Sequence, residues 1–156
     1  MEKEIFSRNI VVTDEVFDID KIYKGIKKKS GDLGYTFIEK EQATKPGKYG
    51  TELKFKFILD KEVDEFGELI FDLGFSFDRL SKAKNLDRGN CEVSIKGKVI
   101  FDYKNRWGMN KFNKTLLGLY IKFTDSAMKK KYIVPLILDG NEMHDFIKDS
   151  FGFYTS

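Results

Sequence analysis

The sequence is poor in the two residues that build most metal and disulfide sites. It contains one cysteine, Cys91, and one histidine, His144, among 156 residues. A single cysteine excludes an internal disulfide, which favours a reducing, cytoplasmic compartment. One cysteine and one histidine are also too few for a structural zinc site of the usual kind. Because the acidic stretch DEVFDID lacks the glycine and the final glutamate of a calcium loop, we expect no metal and no other cofactor.

Catalytic motifs are also scarce. The sequence contains neither G-x-x-x-x-G-K-[ST] nor G-x-G-x-x-G, and no G-x-S-x-G marks a serine nucleophile. The thiol and imidazole needed for a nucleophile and its base are limited to Cys91 and His144. Cys91 falls among the apolar positions of a predicted strand, where a small buried residue is expected. The pattern favours a non-catalytic protein and leaves open an enzyme without a recognised motif.

Features that divide or anchor a chain are few. Only two prolines occur, so there is no proline-rich linker, and we interpret residues 1–156 as a single domain. The longest apolar run, YIVPLIL at residues 132–138, is too short to cross a bilayer. The first residues lack the apolar core of a secretory signal. We expect a folded domain whose partner is not a membrane surface.

Charge is abundant and unevenly distributed. Charged residues make up 34% of the chain, and the net charge is +3. Residues 101–131 hold eight cations against Asp102 and Asp125, a local charge of +6, which leaves about −3 for the remainder. These cations are Lys104, Arg106, Lys111, Lys114, Lys122, Lys129, Lys130 and Lys131. With the acidic stretch KEVDEFGE at residues 61–68, the pattern predicts a bipolar molecule that steers partners or self-association.

Hydrophobic periodicity predicts an α+β fold. After a strand over residues 4–12, apolar positions at helical spacing follow a possible N-cap, Asp18. Four strand-like runs come next, in which odd-numbered residues from Thr51 to Tyr103 are largely apolar. Period-2 patterning with short connections indicates an antiparallel meander with one buried face. We predict an antiparallel sheet of about five strands, covered on one face by helices, in the order β-α-β-β-β-β-α-α.

The last third of the chain is ambiguous. A helical stripe competes with a strand alternation through Leu117 and Ile121, and we favour a helix that buries the stripe. The stripe consists of Phe112, Leu116, Leu119, Tyr120 and Phe123. Residues 132–138 fit either a helix kinked at Pro135 or a short strand before a helix that begins near Asn141. The dipeptide Asp139–Gly140 favours the strand and turn.

Three short segments carry a resemblance. DIDKIYKGIKKKSGDLGYTFIEKE at residues 18–41, DYKNRW at residues 102–107 and MHDFIK at residues 143–148 resemble a group of small uncharacterised archaeal proteins. The resemblance implies closing helices, and it implies no activity and no residue roles. The predicted element order is also similar to the helix-grip architecture of START-like ligand carriers, in which a C-terminal helix lies across a curved antiparallel sheet.

The basic, aromatic segment gives the leading functional hypothesis. Cations beside large rings are typical of nucleic-acid surfaces, and an apolar helix flanked by lysines is typical of protein contacts. Trp107 at the end of a strand also fits a residue that only caps the core. We predict a non-catalytic binding or assembly module that contacts a protein partner, a second copy or a nucleic acid. The predicted partner-binding residues are Lys104, Arg106, Trp107, Lys111, Lys114 and Lys122.

The alternative is a carrier of a small apolar ligand. A curved sheet lined by phenylalanine would hold such a ligand if the helices left a cavity above it. A filled core is the competing interpretation of the same residues. The predicted cavity lining is Phe55, Phe57, Phe71, Phe75 and Phe101.

Overall fold

The protein combines one antiparallel sheet with a set of covering helices. The computed structural model describes residues 2–104 and 111–152. The strands are β1 (Glu2–Phe17), β2 (Thr36–Gly47), β3 (Gly50–Glu62), β4 (Gly67–Ala83) and β5 (Leu86–Phe101). The helices are α1 (Ile19–Asp32), α2 (Lys111–Phe123), α3 (Asp125–Met128) and α4 (Val134–Gly152), with a π-helical turn at Lys129–Ile133 between α3 and α4. The predicted α+β fold with a five-stranded antiparallel sheet is confirmed.

The sheet order is β1-β5-β4-β3-β2, and every neighbouring pair is antiparallel. Hairpins connect β2, β3, β4 and β5 in succession. The last strand, β5, also pairs with β1 on its other side. The two edges of the sheet are therefore β1 and β2. Helix α4 packs across β1 and β5 at one side of the sheet, and α1 contacts α4 and β2.

The predicted alternation fixes the buried face of the sheet. Odd-numbered residues of β3, β4 and β5 form most of the core, and Phe57 and Phe71 are each only 1% exposed. Side chains of α1 and α4, among them Ile26 and Leu136, cover this face. Because successive strand residues point to opposite faces, one correct phase places all the phenylalanines of β3 and β4 inside. Thr51, at the start of the alternation, is exposed.

The first helix follows its local signals. Asp18 is the N-cap, and its Oδ1 accepts a hydrogen bond from the backbone N–H of Lys21 at 3.1 Å. This bond satisfies one of the amide donors that a helix N-terminus leaves unpaired. After the helix, Gly34 has a φ of +89°, a left-handed conformation that glycine adopts without strain.

Residues 132–138 are helical, so the strand alternative for this stretch is wrong. The backbone N–H of Val134 bonds to the carbonyl of Lys129, five residues back, which makes the preceding turn a π-helix. Pro135, which has no N–H to donate, follows where the π-helical turn already interrupts the regular hydrogen bonds between residues i and i−4. The π-helical turn thus accommodates the proline that argued against a continuous helix.

Asp139 and Gly140 lie inside α4 rather than in a turn. The Asp139 Oδ2 accepts hydrogen bonds from the Tyr35 hydroxyl at 2.8 Å and from the Lys61 Nζ at 3.4 Å. A Cβ on Gly140 would lie 2.9 Å from three ring carbons of Phe6. This dipeptide therefore serves helix-to-sheet packing, since the glycine lets α4 approach β1 closely.

Candidate interaction surface

Helix α2 buries the opposite arc from the one predicted. Leu117 is 5% exposed and Ile121 packs on the core, whereas Leu116, Leu119 and Tyr120 are 38%, 46% and 43% exposed. The predicted buried stripe is therefore wrong for these three residues. The side chains of Phe112 and Phe123, its other two members, lie outside the described residues. The result is a helix that presents apolar side chains to solvent.

The exposed arc of α2 has two different flanks. At about 100° of rotation per residue, Leu119 lies roughly opposite the buried Leu117 and Ile121. On one flank the Tyr120 ring makes an edge-to-face contact with Phe66, with ring centroids 5.6 Å apart. On the other flank is Lys122, which neighbours Leu119 because the two are three positions apart. The apolar arc is thus bordered by the β3–β4 hairpin on one side and by a lysine on the other.

The β3–β4 hairpin is held in place by Asp64. Its Oδ1 accepts hydrogen bonds from the backbone N–H groups of Phe66 at 2.9 Å and Gly67 at 2.8 Å. Its Oδ2 accepts from the Tyr132 hydroxyl at 2.7 Å and pairs with the Lys131 Nζ at 2.6 Å. The π-helical turn that follows α2 and α3 therefore presents two neighbouring side chains to one hairpin carboxylate. These bonds fix the helical segment relative to the sheet.

The pKa of Asp64 agrees with this arrangement. Burial by itself would raise the pKa of Asp64, but Lys131, Tyr132 and the amides of Gly67 and Phe66 favour the ionised form. Together they hold the pKa of this carboxyl well below its usual range. Asp64 is therefore a charged anchor at neutral pH, and its charge is satisfied within the chain.

The remaining carboxylates of the hairpin strands crowd one another. Glu62 and Glu68 are directly opposed in the β3–β4 register. Burial raises the pKa of Glu68, and the nearby charges of Asp60 and Glu62 raise it further. The neighbouring Lys61 does not join this group, because its Nζ donates to the Leu33 carbonyl at 2.9 Å and contacts Asp139. The base of the hairpin therefore carries a concentrated negative charge.

The predicted partner-binding residues fall into two groups. Lys114 and Lys122 are exposed on α2, and within the described ranges neither forms an ion pair. Lys104 is exposed after β5, with its Nζ 5.8 Å from the centroid of the Tyr103 ring. Arg106, Trp107 and the side chain of Lys111 lie outside the described residues. Sequence reasoning missed Leu119 as an exposed residue, and only the position of α2 on its neighbours identifies it.

The predicted ligand cavity is filled by its own lining. Phe57 stacks against Phe55 at 5.5 Å and contacts Phe75 at 5.8 Å between ring centroids. The space left between these rings and α1 is about 10 Å³, too small for an apolar ligand. An open groove of about 550 Å³ lies beside it, lined by Tyr23, Leu53 and Phe55 among others. Of the five predicted lining residues, Phe55 alone reaches this groove.

The candidate nucleophile and metal ligands do not assemble into a reactive site. Cys91 is 2% exposed, and burial raises the pKa of its thiol well above the usual range. A protonated, enclosed thiol is a poor nucleophile. His144 lies on α4, where its Nδ1 is 3.2 Å from a carboxylate oxygen of Asp145. In the part of the chain that the structure describes, no group of three or more His, Cys, Asp or Glu side chains is placed to hold a metal ion.

Comparison with known proteins gives no family for this chain. Its sequence matches no protein-family profile and no curated protein. Among the described helices, none is both long and apolar enough to span a bilayer. Function is therefore inferred from the chemistry of the surface. The exposed arc of α2 brings together three of the seven exposed large apolar side chains among the described residues.

Proposed function

We propose that this chain is a non-catalytic, cytoplasmic binding or assembly module that acts through α2 on a partner protein. The observation that carries the proposal is the exposure of Leu116, Leu119 and Tyr120 on one arc of a helix whose opposite arc is buried. Scattered apolar residues on a surface need no explanation, but a contiguous apolar patch marks an interaction site. The partner is the element that covers this arc.

Association would be driven by the burial of the apolar arc, which releases water from its surface. Burying the exposed part of each of the three side chains contributes on the order of 1 kcal/mol. The lysines at the edges of α2, Lys114 and Lys122, add electrostatic steering towards an acidic partner. A polar rim around an apolar centre is the usual anatomy of a protein interface.

A protein fits this surface better than a nucleic acid does. Stacking on bases requires accessible rings beside uncommitted cations. Lys114 and Lys122 are exposed, but the Tyr120 ring beside them is held edge-to-face on Phe66. Lys129 and Lys131 are engaged with Asp125 and Asp64. The exposed centre of the surface is aliphatic, which offers nothing to a phosphate backbone.

Photo-crosslinking in cells tests the proposal. A photoreactive amino acid in place of Leu119 should give a discrete protein adduct. The same substitution at Leu138, a 62% exposed apolar residue of α4, serves as the matched control and should give none. Charge reversal by Lys111→Glu, Lys114→Glu and Lys122→Glu together should reduce the Leu119 adduct severalfold. It should not shift the melting temperature by more than a few degrees, because Lys114 and Lys122 are exposed and exposed substitutions rarely change stability much.

Two results would reject the proposed function. One is the absence of a protein adduct at position 119 under conditions where the probe reacts. The other is an adduct that persists at full yield after the triple charge reversal. A crosslink to RNA instead of protein would show that α2 binds a nucleic acid.

A further inference from the structure

We infer that the end of the sheet away from α2 binds single-stranded nucleic acid, with a base stacked on Tyr49 and phosphates held by Lys48 and Arg79. This surface is separate from the one in the proposed function. Helix α2 contacts Phe66 in the β3–β4 hairpin. The β2–β3 turn, which contains Lys48 and Tyr49, and the β4–β5 turn lie at the opposite end of the strands, because successive turns of a meander alternate between its two ends.

The first observation is an accessible aromatic ring. Tyr49 is 66% exposed, although the Lys48 Nζ lies 5.3 Å and the Arg79 Cζ 4.9 Å from the centroid of its ring. Most of the ring surface is therefore open to a further flat group. A nucleobase stacks on such a ring, and cations beside the ring then meet the phosphates of the same strand.

The second observation is a backbone that brings Arg79 to Tyr49. Between Asp78 and Ser81, β4 has one more residue than β5 opposite it, which is a β-bulge, and Arg79 within the bulge has a φ of +53°. Gly50 lets the β2–β3 turn approach this bulge, since a Cβ there would lie 2.8 Å from the carbonyl carbon of Arg79. The cation and the ring are thus held together before a ligand binds, which lowers the entropic cost of binding.

The third observation is the charge that remains once ion pairs are counted. In residues 45–52 and 78–87, two lysines are neutralised at 3.2 and 2.9 Å by carboxylates, in the pairs Lys45–Glu52 and Lys82–Asp87. The other cations of these segments form no ion pair within the described ranges, namely Lys48, Arg79 and Lys84. Against these three cations stands one further carboxylate, Asp78, so the segments keep a charge of +2. Lys84 is five residues beyond Arg79, at most about 17 Å along the chain, so a strand of several nucleotides reaches both.

The nature of the ligand follows from a single ring in a basic setting. A protein interface has an apolar centre made of several side chains, whereas Tyr49 is the one large apolar side chain exposed in these turns among the described residues. The bases of a duplex are already stacked on their neighbours. A single strand offers unstacked bases together with phosphates, and both are recognised by the groups that this surface presents.

Fluorescence anisotropy with a labelled uridine oligonucleotide of about ten residues tests the site. The wild-type chain should bind it at low salt, and Tyr49→Ala should raise the Kd about tenfold, as for the loss of one stacked base. Tyr49→Phe keeps the ring and should bind as the wild type does. Arg79→Asn, in which asparagine tolerates the positive φ, should raise the Kd and reduce the slope of log affinity against log salt by about 0.7. Tyr120→Ala, which removes an exposed ring of α2, is the control and should change nothing.

Several results would overturn the inference. One is a wild-type chain that does not bind the oligonucleotide at low salt, and another is a folded Tyr49→Ala chain with wild-type affinity. Equal or tighter binding to a duplex, to polyglutamate or to anionic lipid vesicles would reject a single-strand site. If circular dichroism shows that Tyr49→Ala unfolds, the double variant Lys48→Ser and Arg79→Asn replaces it, and wild-type affinity of that variant contradicts the site. The proposed function is tested separately, because it is measured by the adduct at Leu119.

Discussion

An alanine at Gly67 is expected to lower the free energy of unfolding by about 3 kcal/mol, the upper part of the range for overpacking. Its Cβ would overlap the ring of Tyr132, with Cδ1 only 2.7 Å away. The ring has no simple way to withdraw, because its hydroxyl donates to Asp64 and it forms a T-shaped contact with Phe101, with centroids 5.4 Å apart. The strain therefore falls on the contact that holds the π-helical turn to the hairpin.

Urea unfolding of Gly67→Ala beside Gly31→Ala measures this effect. Gly31 lies in α1, and a Cβ there meets nothing within 4 Å. Its replacement should leave the protein as stable as wild type or up to about 1 kcal/mol more stable, because alanine is the better helix former. A Gly67→Ala chain that unfolds within about 0.5 kcal/mol of wild type would contradict the described packing of Tyr132.

Truncation of Phe57 is expected to cost about 3–5 kcal/mol, as for other buried phenylalanines changed to alanine. Phe57 is 1% exposed, and its ring contacts Phe37, Phe75 and Tyr23 at centroid distances of 4.9, 5.8 and 5.6 Å. Removing it enlarges a space that is only about 10 Å³ in the intact protein. The variant should therefore gain the ability to bind a small apolar molecule such as benzene, as engineered apolar cavities do.

Thermal melting with and without benzene separates the filled core from a ligand carrier. Phe57→Ala should melt lower than wild type and be stabilised by benzene, while the wild type is not. Val11→Ala, at a residue 71% exposed, should stay within about 0.5 kcal/mol of wild type. If native mass spectrometry of the wild type shows a retained apolar ligand, the filled interface is contradicted and the carrier hypothesis is favoured.

The sheet was predictable because the alternation of apolar and charged residues allows only one face of the strands to be buried. Alternation through Phe55, Phe57 and Leu59 places all three on the same side of a strand. A shift by one residue would bury Lys54 and Lys56 instead, which is energetically costly. The predicted face is therefore confirmed by burial, and the helices are the elements that cover it.

The orientation of α2 was not predictable from its own residues. Leu116 and Leu119 on one arc are as apolar as Leu117 and Ile121 on the other, so periodicity supports either arc as the buried one. What decides the outcome is nonlocal: Tyr120 meets Phe66, and Ile121 reaches the core. Neither contact leaves a local sequence signal. The exposure of Lys114 and Lys122 agrees with the sequence, the exposed apolar centre was not predicted, and the partner contact itself stays a prediction.

The helix through residues 132–138 was ambiguous for a similar reason. Proline and the Asp139–Gly140 pair are local signals for a break. The structure reconciles them with a helix through a π-helical turn and through contacts with Tyr35, Lys61 and Phe6 on distant strands. Such contacts have no counterpart within a short window of sequence.

Partner capture by the Leu119→Asp variant is the most direct test of the claim that α2 is the contact surface of this chain. A carboxylate buried without a partner at the centre of an apolar contact is costly, so a protein that the wild type captures from a cell extract should be lost. The melting temperature should stay within a few degrees of wild type, because Leu119 is exposed. Leu138→Asp, at an exposed residue of α4, should capture the protein as the wild type does. A Leu119→Asp chain that captures the same protein at full yield would contradict the account.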